Sequence, residues 1–370
     1  MRRRSLLVRS AAVASAATAG AVATSAAGCL AIGNDGYEPP ARVENPPQGV
    51  YRPVAAPRLR TVGVADAGPF RLALAYGPPV RFWEVVGEQT YRRAVDPADD
   101  VHLVALAWDA ETGVVLPEVG LTVEVTHDDA LVAQEAVYAM VSQGMGFHYG
   151  DNFALDGDGA YAATVAVGGL QGRRTGAFAG RFGERASHTF AFEYRRAERD
   201  ALDVVRADDP GTRGALSTDP PASMPAAVVP SDPPGARVGR ARTADVDLDV
   251  RALTGRAARE RVDADVDADV DADASAGDYL AVLARTPYND LVLPGMGLRA
   301  TVERADGTTT ERILDRTLDP ALGYHYGTGV RALEDATAVG IETLTPPQVA
   351  RHEGYETAFL DIGAVRVTRE

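Results

Sequence analysis

Apolar and polar positions along this chain alternate in short runs, with no sustained helical period. Phe70–Ala75, Val101–Trp108, Leu121–Val125, Tyr161–Val167 and His188–Tyr194 each carry period-two or unbroken apolar patterning over a strand's length. Turn-forming clusters such as Asp156-Gly-Asp-Gly159 separate them. No amphipathic helices lie between these runs, which argues against an α/β alternation. Many short strands punctuated by turn signals predict an all-β protein built as a β-sandwich.

The pattern then repeats. His102–Pro117 returns as Tyr279–Pro294, and Gly146-Phe-His-Tyr-Gly150 returns as Gly323-Tyr-His-Tyr-Gly327. Fourteen of the forty-nine positions from 102 to 150 are identical to those 177 further on, without a gap. A match of that length implies two tandem copies of one domain. The first is expected over 46–197 and a divergent second over 236–370. Between them, 198–235 reads as an Asp/Pro-rich linker that includes Asp219-Pro-Pro and Asp232-Pro-Pro-Gly. The alternating run Thr243–Leu253 is expected to supply the first strand of the second copy. The carboxylate tract Val262–Asp273 has two readings, a calcium site or an expanded acidic loop. It lacks the glycine and bidentate glutamate of a calcium loop, which favours the second.

The N-terminus reads as an address. Arg3-Arg4 is followed by Ser5, Leu6 and Leu7, then an Ala-rich run ending in Ala26-Ala-Gly-Cys29. This predicts a twin-arginine lipoprotein signal over 1–29, lipidation at Cys29, the only cysteine, and a tether over 30–45. An uncleaved anchor is the alternative. Either way, the remainder is expected on the extracellular face of the cytoplasmic membrane, touching it only through the anchor. The net charge is −15 and lysine is absent, a balance that resembles proteins of extreme halophiles. With no basic stripe to neutralise phosphates, nucleic acid is excluded as a partner.

The chain shows no nucleophile elbow, phosphate-cradling glycine loop or HExxH, so an enzyme is not expected. Its six histidines are His102, His127, His148, His188, His325 and His352. Histidine, methionine and carboxylate on a sandwich suggest a metal more than a reaction.

Met140-Val-Ser-Gln-Gly-Met-Gly-Phe-His-Tyr-Gly-Asp-Asn152 resembles the signature of the periplasmic iron- and copper-binding proteins of the iron-transport family. The resemblance covers roughly 95–194 and, more weakly, 237–370. It implies an immunoglobulin-like sandwich that forms homodimers, with metal ligation by methionine and histidines. Carried over, it selects His102, Met140 and His148 in the first copy. Val104 stands where the family has glutamate, and Met140 and His148 are one residue further apart than usual. The family's Arg-His segment should fall near Gln171–Gly176, which holds no histidine. The second copy offers His325 and, in Ala350-Arg-His-Glu-Gly-Tyr-Glu-Thr357, His352. Tyr279 stands at its first histidine position and Thr317 or Leu318 at its methionine. The cargo implied is iron or copper. Imidazoles and a thioether without a carboxylate favour copper, most of all reduced copper.

Plainer readings stand beside these. The shared His-Tyr-Gly turn reads equally as a fold element, and Met140 as core. His127 reads as surface, and Asp151 and Asn152 as turn formers. Arg81–Glu84 and Trp108 read as core or aromatic rim. Glu353, Tyr355 and Glu356 read as an outer shell around His352 or as a solvated loop.

The expected function is a lipid-anchored surface protein that binds iron or copper for uptake or buffering, with a membrane transporter as possible partner. The alternative is a non-catalytic interaction module that has lost its metal site. Linking two copies raises their effective concentration to about millimolar, so they are expected to pair within one chain as a monomer.

Overall fold

The computed structural model describes residues 37–262 and 277–369. The export signal, Cys29, residues 30–36 of the tether and the acidic tract from 263 onward lie outside the described residues. Among the described residues no helix is long and apolar enough to cross a membrane.

The architecture is all-β, as the alternation predicts. All five runs read in the first half are strands: Phe70–Gly77, Val101–Asp109, Leu121–His127, Gly159–Val167 and Ala186–Tyr194. Three of them (Leu121–His127, Gly159–Val167 and Ala186–Tyr194), with Ala130–Ala136, form a four-stranded antiparallel sheet. Val123, Val125, Ala163 and Val165 point inward from it. The facing sheet is eight-stranded and contains Phe70–Gly77, Val101–Asp109, Gly146–Phe153 and Tyr138–Ser142 in that order. Val101–Asp109 is buried along its whole length, which accounts for its unbroken apolar run.

The second half is built on a nine-stranded sheet, eight of its strands from the second half itself and one from the first. Thr309–Asp319 bends between its two faces, pairing with Gly297–Arg304 through its first part and Gly323–Val330 through its last. The run Thr243–Leu253 is not one strand. Ala236–Thr243 and Val246–Leu253 form a hairpin, with Ala244 and Asp245 both at positive φ (43° and 63°). Two left-handed residues make the tight turn that suits strand twist, and an Ala-Asp pair inside an alternating run conceals it.

The connecting stretch 198–235 lies against both halves. Val204–Arg206 pairs with Ala55–Pro57, and Val228 bridges Leu291. Met224, Ala227 and Val229 are buried.

The halves also exchange edges. Ala350–His352, from the second half, inserts into the eight-stranded sheet of the first. It runs parallel to Tyr138–Ser142, with Ala350 opposite Met140, and antiparallel to Phe82–Val86. In return Arg173–Arg174 runs parallel to Thr309–Asp319, with Arg173 opposite Thr317. The two exchanges are related by the same offset of 177: Met140 corresponds to Thr317 and Arg173 to Ala350.

Candidate metal centre

Four side chains converge where the inserted segment meets the first sheet. Tyr138–Ser142 and Gly146–Phe153 form a hairpin in which His148 stands directly opposite Met140. Directly opposed residues of an antiparallel pair project on one face, so the hairpin register sets these two donors side by side. His102 lies on the next strand, opposite Asn152. Gly150 sits between, and a Cβ there would come within 2.8 Å of His102 Nε2. The glycine is therefore the space into which the His102 ring leans.

His352 closes the group. Its ring centroid lies 5.4 Å from that of His102 and 5.1 Å from that of His148. The ligating nitrogens of the three histidines all fall within 4.8 Å of one another. His352 Nε2 lies 3.3 Å from Met140 Sδ. Arg351 anchors this insertion. Its fully buried guanidinium donates to the carbonyls of Ala358, Pro347 and Phe359. Burial without a carboxylate partner lowers its pKa to about 9.

Hydrogen bonding sets the tautomers. Asn152 accepts from Val80 N–H at 3.1 Å and donates to Val80 C=O at 2.9 Å, which fixes its amide orientation. Its Oδ1 thus faces His102 Nδ1 at 2.9 Å, and Nδ1 must be the donor. His148 Nδ1 donates to the carbonyl of Gly146 at 3.0 Å. In both rings Nε2 is left as a bare lone pair, buried and without a partner. Native interiors rarely leave such atoms unsatisfied. Burial lowers the pKa of His102 to about 3, helped by His148, and that of His148 to about 4. Burial and its two histidine neighbours hold His352 well below the usual range. All three rings are neutral at pH 7 and can act as donors.

His325 is not part of this group. It occupies the corresponding place in the second half, with Nδ1 donating to Gly323 C=O at 3.1 Å and Thr317 as its cross-strand neighbour. There the Tyr279 hydroxyl reaches His325 Nε2 at 3.0 Å and occupies the lone pair. Thr175, at the place matching His352, donates to Asp319 at 2.9 Å. This second position is a closed polar knot.

The remaining candidates are placed as follows. Asn152 is no turn former: it lies within a strand and orients His102. Its signal was the fixed spacing after His148. Asp151 lies in the same strand. His127 ends a strand with its ring tilted against that of Tyr161 at 4.5 Å between centroids, and His188 packs on Phe190 at 4.6 Å. Trp83 and Trp108 are buried core residues, and Phe82 packs with Met140 and Ala350. Glu353 accepts from Arg81 and from Val43 N–H, and Glu356 from the Tyr51 hydroxyl.

A domain of unknown function, DUF7350, matches residues 231–368, which spans the second half. No curated protein matches the chain. Among solved structures, FetP of uropathogenic Escherichia coli is similar at 20% identity, covering 38% of this chain and 96% of FetP with a TM-score of 0.30. A copper-bound FetP variant is similar at 21% identity, covering 37% of this chain and 97% of its own, with a TM-score of 0.30. Copper-reconstituted P19 of Campylobacter jejuni is similar at 20% identity, covering 37% of this chain and 96% of P19, with a TM-score of 0.29.

Proposed function

We propose that the protein holds one copper or iron ion per chain at His102, Met140, His148 and His352, as an exported, lipid-anchored surface protein serving metal uptake or buffering. The observation that carries this is the pair of buried, unpartnered Nε2 lone pairs on His102 and His148, aimed at a place that His352 and Met140 also reach. Three imidazoles and a thioether are soft to borderline donors, and no carboxylate stands in the cluster. Reduced copper suits them better than ferrous iron.

The first half supplies three donors and the second half one, so neither alone holds the site. The reading is of two copies of one domain that pair within one chain, one site kept and its counterpart replaced by Tyr279, Thr317 and Thr175. A structural role fits that second position, where every polar group described above has a partner. Twin-arginine export, attachment through Cys29 and delivery to a membrane transporter complete the proposal.

Elemental analysis of protein from its native host, with copper(I) titration of the purified chain, tests it. One equivalent should bind to the wild type and none to a His102→Ala/His148→Ala variant. Equal titration of both would end the reading. Scattering at high salt should show a compact monomer; a stable dimer at micromolar concentration would reject pairing within the chain.

A further inference from the structure

A cavity of about 300 Å³ opens onto the histidine group. His102, His148 and His352 line it, but Met140 does not. The thioether therefore stands behind the site, and the three imidazoles present it to open space. An ion seated among these four donors has its remaining face toward the cavity.

The wall chemistry is specific. Pro79, Ala56, Leu59 and Leu216 are among its apolar lining residues. The residues Pro39 and Pro40 form one side, held down where Arg81 donates to the Pro40 carbonyl. Two carboxylates line the space and both are engaged. Glu353 faces Arg81 and Val43 N–H, and Asp219 pairs with Arg58 at the rim. All four donors are neutral. A monovalent ion there carries one charge, whereas an oxidised, divalent ion would carry two in a buried place with no anion in its cluster. Uncompensated buried charge is strongly disfavoured. The missing charge has to come from the cavity side.

Building on the metal site above, we propose that this cavity seats a small organic carboxylate on the open face of a bound divalent ion, its oxygen completing the coordination and its apolar part against the proline and alanine wall. The site would thereby accept an ion of either charge: four neutral donors for a monovalent ion, with an external anion added from the cavity for a divalent one.

Azide is a suitable probe, because its ligation to copper(II) produces a charge-transfer absorption. The full chain is loaded with copper(II) chloride and titrated with sodium azide, then with acetate. A saturable band that acetate displaces is expected. Ala56→Trp and Leu216→Trp each place a large ring in the cavity at a lining residue that is not one of the four donors. Each should load copper(I) as the wild type does, yet bind azide more weakly by roughly tenfold or more. Copper(II) bound with no azide band, or both filled variants titrating like the wild type, would overturn this proposal while leaving the metal site intact. A wild-type chain that takes up no copper at all fails the site reading itself, a result separable from the other two.

Discussion

The histidine group around His102 and the polar knot around Tyr279 occupy matching places on matching strands, yet their chemistry has diverged. Each contains a histidine whose Nδ1 is tied to the carbonyl two residues earlier, His148 to Gly146 and His325 to Gly323. Each contains a glycine that clears room for the neighbouring strand's side chain. A Cβ on Gly327 would fall 2.1 Å from the Tyr279 hydroxyl, just as one on Gly150 would crowd His102. The shared scaffold is therefore independent of the ligand. The difference lies at three positions: His102 against Tyr279, Met140 against Thr317, His352 against Thr175. In one place these leave buried lone pairs without partners. In the other they satisfy them internally. Leaving such groups unpaired costs about 1–3 kcal/mol each, a cost present in one half and avoided in the other, and the proposed metal site rests on that contrast.

The comparison is broken most severely by His352→Ala. This removes the donor contributed across the halves, and copper(I) affinity measured by chelator competition should fall by more than the roughly 10–100-fold typical of losing an outer-shell partner. Unchanged affinity would show that the inserted segment only covers the site. Next, Tyr279→His with Thr317→Met and Thr175→His should rebuild the donor set in the second half. Stoichiometry should rise from one copper per chain to two; if it remains one, the two places are less alike than their registers indicate. Asn152→Ala leaves all four donors but frees the His102 ring. Affinity should drop roughly 10–100-fold at unchanged stoichiometry.

The smallest effect concerns stability of the metal-free chain. Burial lowers the pKa of His325 to about 4, while an unfolded histidine titrates near 6.5. The unfolded chain therefore takes up the proton first, and the stability contributed by the neutral ring is full above pH 6.5 and lost as pH falls toward 4. Between pH 7 and 5, His325→Gln should lose less stability than the wild type, by on the order of 2 kcal/mol. Equal slopes in chemical denaturation at the two pH values would show that His325 protonates freely in the folded state.

Much of this was visible in the residues alone, and the exceptions have physical causes. Strand alternation marked all five strands named for the first half, because each has one buried face or two. It failed at Ala244-Asp245, where two left-handed residues continue the polar–apolar rhythm through a turn. The 177-residue offset matched Tyr279 to His102 and Thr317 to Met140, since the donors follow a fixed strand register. It did not reveal that His352 joins His102, because strand exchange depends on how the halves meet and not on local pattern. His325 was counted with the donors for the same reason: its neighbours in sequence are those of a ligand, and only the Tyr279 hydroxyl, 46 residues earlier, shows its lone pair taken. Asn152 has a short polar side chain common in turns, and its role emerges only from the two Val80 bonds that orient it.

The exchange of edges has a consequence in time. Met140 meets Ala350, and Arg173 meets Thr317, only when residues 210 and 144 positions apart respectively have been brought together. Contacts between such distant residues form late, after local hairpins such as Tyr138–Phe153 have closed. A nascent or partly opened chain can hold the hairpin with Met140 and His148 in register and still lack its last donor. Any ion gripped by all four side chains is thus gripped only by a chain that has finished folding, and its retention reports completion of the whole molecule rather than of either half.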